Sequence, residues 1–102
     1  MNYDKLVRDR IPEIIEKDKK TPYIHIADDW EYRQRLQDKA HEEVNEVFAG
    51  TNVSEELADV LEVIDAIIEF KGLNKEDIYE IMIAKKTKKG GFGGRIILDK
   101  VL

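Results

Sequence analysis

The chain has 102 residues, with 17 Lys plus Arg against 22 Asp plus Glu and a formal charge of -5, which fits a single domain, 1–102, and argues against a second. Hydrophobic residues make up 42% and charged residues 38%, enough apolar material for a core beneath a highly charged surface, so intrinsic disorder is not expected. The absence of cysteine excludes disulfides, thiolate zinc sites, iron–sulfur clusters and cysteine nucleophiles. No apolar run approaches the roughly 20 residues that cross a bilayer, and the charged start, Met1 to Arg10, lacks the core of a secretion signal. A cytoplasmic protein with no membrane partner is the expectation. The acidic balance also disfavours nucleic acid as a specific partner, since a phosphate backbone needs a basic face.

In chain order, Pro12 suits the first turn of a short helix running to about Lys19, with Ile11, Ile14 and Ile15 as its buried stripe. Thr21 to Ala27 alternates and is rich in β-formers, which predicts a short strand before Asp28-Asp29 starts a helix. From Asp29 to Ala49, Leu36, Ala40, Val44, Val47 and Phe48 recur at helical spacing, and Gly50 stops the run. Asn52 or Ser54 then caps a second long helix ending near Lys71-Gly72, whose broad arc of Leu57, Val60, Leu61, Val63, Ile64, Ile67 and Ile68 asks for more than one packing neighbour. Asn74 caps a further helix that carries Ile78, Ile81 and Met82 inward and ends in the run Lys85-Lys86-Thr87-Lys88-Lys89. After Gly90 to Gly94, Arg95 to Leu102 reads as a terminal strand, and pairing it with Tyr23 to Ala27 would hide two edges. The fold class expected is therefore all-α, an antiparallel helical bundle with two short strands. So small a helical domain also invites burial against further copies of itself.

The chemistry lies in two acidic clusters, Glu42-Glu43-Val44-Asn45-Glu46 and Glu55-Glu56-Leu57-Ala58-Asp59, on helices joined by a short turn and so expected side by side. Glu43 falls beside Leu36, Ala40 and Val47, with Glu46 at the edge of that stripe; Glu56 projects near Val60, Val63 and Ile67, with Asp59 at the border. Carboxylates meeting across a helix pair repel by on the order of 4 kcal/mol per pair at about 4 Å and an effective dielectric of about 20. A hard cation answers this, and Mg²⁺ on a few carboxylates, with positions left for water and phosphate, is the usual arrangement. The other reading is two solvated helix faces, with Glu55-Glu56 simply favoured by the helix macrodipole. A di-iron bundle would need two Glu-x-x-His units, and the chain offers only Asp38-x-x-His41. Cationic groups cluster at Lys5, Arg8 and Arg10 and along Lys85 to Arg95, where glycines permit close approach to an anion, and Lys39 stands one turn from Glu43. No Walker-type sequence is present. His25 and His41 read as structural or exposed residues, Trp30 and Tyr32 as packing residues in preference to a base-stacking platform, and Ser54 as a cap.

The order E-E-x-x-E over Glu42 to Glu46, a short turn and E-x-x-D over Glu56 to Asp59 resembles the metal-binding signature of the MazG-like, all-α nucleoside triphosphate pyrophosphohydrolases. Tyr3 to Pro12 and Lys88 to Ile96 are similar to the phosphoribosyl-ATP pyrophosphohydrolase-like subgroup, so the likeness spans nearly the whole chain. This resemblance implies Mg²⁺-dependent hydrolysis of a nucleotide between its α and β phosphates, with Mn²⁺ as a substitute ion. It implies Glu43, Glu46, Glu56 and Asp59 as metal ligands and Glu42 and Glu43 as catalytic residues, Glu42 in a supporting or water-activating role. Lys5, Arg8, Lys39, Lys86, Lys89 and Arg95 would bind the substrate phosphates. It further implies a homodimer or homotetramer. The alternative from another class is a noncatalytic helical module that binds a partner or a nucleotide, with its acidic clusters indifferent to divalent ions.

Overall fold

The computed structural model describes residues 4–102, which form four helices in the order α1 Ile11–Lys17, α2 Asp29–Ala49, α3 Val53–Phe70 and α4 Lys75–Lys89. Two compact units divide the chain, Met1–Ile67 and Ile68–Leu102, with the boundary inside the last turn of α3. The fold is all-α. No helix among the described residues is long and apolar enough to cross a membrane.

Local chemistry sets the helix ends. Pro12 opens α1, where its missing N–H costs nothing, and the helix closes at Lys17 because Lys19 turns left-handed at φ 59°. The Asp28 carboxylate accepts from the Glu31 N–H at 2.9 Å and so caps α2, and the Gly50 N–H closes its far end on the Glu46 carbonyl at 2.7 Å. The Asn52 side chain accepts from the Glu55 N–H at 3.4 Å at the start of α3. Past its end, Gly72 adopts φ 68°, a conformation glycine enters freely, and the Leu73 N–H reaches back to the Ile68 carbonyl at 3.0 Å. The Asn74 side chain accepts from both the Glu76 and Asp77 N–H groups, capping α4.

In the first unit, the connection 50–52 returns α3 alongside α2, and Leu36 and Val63 form the buried apolar centre. Glu43 is buried with them. Several residues expected inside are not: Ile14 of α1, Trp30, Val44 and Phe48 of α2, and Leu57, Leu61 and Ile64 of α3 are exposed, Phe48 to 87%. The reason is geometric, since two long helices facing each other cover one stripe apiece, while the apolar arc of α3 is wider than one stripe. In the second unit Ile78 is half-buried, whereas Ile81 and Met82 face outward, because α4 is the only complete helix there.

The two expected strands do not form among the described residues: Tyr23 to Ala27 and Arg95 to Leu102 are irregular segments without ladder pairing. Apolar alternation gives a segment the means to pair, but a strand exists only once a second backbone supplies its hydrogen bonds. Tyr23, Ile26, Ile96 and Ile97 are accordingly exposed.

Candidate metal centre

The site grows from a charged row on α2 at four-residue spacing, Glu31, Arg35, Lys39 and Glu43, which places these side chains along one helical face. Arg35 lies 3.5 Å from Glu31 and Lys39 lies 3.2 Å from Glu43 Oε1, with a further contact of 3.6 Å to Glu42 Oε2. Row and core thus meet at Glu43, whose side chain is only 7% exposed.

Glu43 Oε1 belongs to Lys39, but Glu43 Oε2 is buried and has no hydrogen-bond partner, and the same is true of Glu56 Oε2 on α3. One carboxylate oxygen from each of Glu43, Glu46 and Glu56 falls within 4.8 Å of the others. At that separation a like-charge pair costs about 3 kcal/mol at an effective dielectric of about 20, and Lys39 faces only one of the three groups. Orphaned buried carboxylate oxygens beside further carboxylates are costly unless a cation satisfies them. A donor set made wholly of carboxylate oxygen suits a hard divalent ion such as Mg²⁺, so the residues fit the ion that the sequence suggests.

Asp59, one helical turn beyond Glu56, stands apart from this trio. Its Oδ1 accepts from the Arg8 guanidinium at 2.7 Å, and Arg8 also reaches Glu62 at 3.6 Å. Glu42 pairs with Lys5 at 3.1 Å on the outer side of Lys39. The segment that precedes α1 is therefore laid across both acidic helices by Lys5 and Arg8. Lys86 and Lys89 lie in the last turn of α4 and Arg95 in the segment after it, all in the second unit. His25 pairs with Glu31 at 2.8 Å in an exposed position.

Two contributors escape the sequence reading. Arg35 donates to both the Asp4 carbonyl and the Asp4 carboxylate at 2.8 Å, and so holds Asp4 in its left-handed conformation at φ 42° and anchors the segment carrying Lys5 and Arg8. The four-residue row from Glu31 to Glu43 was the signal available for it. Gly50 is the second: a Cβ there would sit 2.8 Å from the Glu46 carbonyl oxygen and 3.4 Å from Glu56 Oε1. Its backbone conformation, φ -83° and ψ 170°, is open to any residue, so the need for glycine is one of space beside the acidic trio.

Fold and site together define an all-α chain with a carboxylate cluster, one member buried and two half-buried, between two adjacent helices. Comparison with protein-family models, with curated proteins and with solved structures finds no match to it.

Proposed function

We propose that the chain is a Mg²⁺-dependent pyrophosphohydrolase of the MazG-like kind, cleaving a nucleoside triphosphate or related nucleotide between its α and β phosphates to give the monophosphate and pyrophosphate. Clearing noncanonical nucleotides in the cytoplasm is the role that suits it. The observation supporting this reading is the buried, unpartnered Oε2 of Glu43 beside Glu46 and Glu56. An acidic surface made for solvation has no use for a carboxylate that is 93% removed from water.

In this reading Glu43, Glu46 and Glu56 hold the ion, Mg²⁺ or Mn²⁺, and Asp59 is the fourth ligand. The bound ion supplies Lewis acidity toward phosphate oxygens and lowers the pKa of water. Glu42, exposed enough to meet solvent and flanked by Lys5 and Lys39, takes the proton of the attacking water. Lys5 and Arg8 neutralise charge on the departing pyrophosphate. The outward apolar side chains support a homodimer or homotetramer.

Incubating the pure protein with ordinary and modified nucleoside triphosphates, with Mg²⁺ and with EDTA, and assaying pyrophosphate tests the reading. Release that depends on Mg²⁺ and disappears in Glu43→Ala is the expected result. Silence across the panel would leave a noncatalytic nucleotide- or partner-binding module, a reading that the exposed Phe92, Ile96, Ile97 and Leu98 favour.

A further inference from the structure

Glu56, Asp59 and Glu62 form a row at three-residue spacing on α3, and the row is divided between two kinds of neighbour. Glu56 turns toward Glu43 and Glu46, whereas Asp59 and Glu62 are both held by Arg8. The Arg8–Asp59 contact at 2.7 Å is among the shortest ion pairs in the molecule, yet its partners are 56% and 38% exposed. Solvent therefore weakens the pair and makes it exchangeable. A guanidinium is also the side chain best shaped to leave a carboxylate for a phosphate, which it grips with the same two-pronged geometry.

We infer that Arg8 withholds Asp59 from the ion and surrenders it when a phosphate group takes the guanidinium, so that Arg8 is a positioning residue coupling anion binding to completion of the metal's ligand set. The inference rests on the Mg²⁺ reading of the Glu43, Glu46 and Glu56 cluster and names the residue that regulates it. Arg8 lowers the ion's affinity by occupying Asp59, so the effect of removing it should run through that carboxylate. Lys5 is the control, because its partner is Glu42, which is not a ligand.

The test is Mn²⁺ binding, followed by calorimetry and by the paramagnetic resonance of free Mn²⁺, for the wild type, R8Q, K5Q, D59N and R8Q/D59N, each checked for helical content by circular dichroism. R8Q should bind Mn²⁺ more tightly than the wild type by up to about fivefold, the most that an exposed pair worth up to about 1 kcal/mol withholds. K5Q should change affinity by less than about twofold, because the carboxylate it releases is not a ligand. R8Q/D59N should match D59N, since Asp59 is the group that Arg8 holds. The inference is overturned if R8Q equals or falls below the wild type, or if its gain persists in the D59N background as a general effect of charge. Failure of the underlying metal reading is a different result: neither the wild type nor R8Q then binds Mn²⁺, or E43Q leaves binding untouched.

Discussion

Glu56 carries a buried oxygen without a partner and, among the described residues, pairs with no cation as Glu43 does with Lys39, so it contributes repulsion to the fold and donor strength to the site. Glu56→Gln should therefore raise the unfolding midpoint in EDTA by about 4 °C, equivalent to roughly 1 kcal/mol for a domain of this size, and abolish the rise that Mg²⁺ gives the wild type. Differential scanning calorimetry with and without Mg²⁺ checks both halves; a fall in EDTA would mean that Glu56 makes a stabilising contact after all. Gly50 gives the complementary case. Gly50→Ala drives a methyl group against the Glu46 carbonyl and toward Glu56, and should cost about 1–3 kcal/mol in denaturant unfolding while weakening the response to Mg²⁺. Glycine's role as a helix stop was legible from the sequence. Its second role was not, because that depends on where a side chain six residues later folds back.

Helix boundaries were the most legible feature because each is set by a few adjacent residues: Asp28 and Asn74 accept the orphan amides of α2 and α4, and Gly50 and Gly72 close the preceding helices. Asp28→Ala should cost about 1 kcal/mol by thermal denaturation, whereas Asp29→Ala, which loses only its interaction with the helix macrodipole, should cost about 0.3 kcal/mol. Equal losses would show that charge, not the hydrogen bond to the Glu31 amide, starts α2. The strands expected at Tyr23 to Ala27 and Arg95 to Leu102 show the limit of local reading, since alternation describes one segment and pairing requires two. The acidic cluster falls between these cases. Helical spacing brings Glu43 to the core edge, but that its Oε2 is orphaned while Oε1 faces Lys39 follows from the packing of α3.

At the scale of the whole molecule, apolar groups outnumber the faces that one copy can cover. Leu36 and Val63 are the buried hydrophobic residues among those described, while Phe48, Leu61 and Ile64 of the first unit and Phe92, Ile96, Ile97 and Leu98 of the second stay open to water. Such surface is uncommon on a monomer and is removed most economically by a second copy, which offers the same side chains in reverse. The formal charge of -5 opposes association only weakly at physiological ionic strength, where charges beyond roughly 8 Å are screened. Sedimentation velocity at micromolar concentration should thus show a dimer or tetramer that persists in high salt, because burial of apolar surface drives it. Phe48→Glu together with Leu61→Glu should shift the boundary toward the monomer and lower the unfolding midpoint, since the partner's contribution to stability is lost with the contact. If the double variant stays assembled but Ile97→Glu dissociates it, the contact runs through the C-terminal segment instead of α2 and α3. A wild type that remains monomeric at every concentration would mean that these side chains await a different molecule.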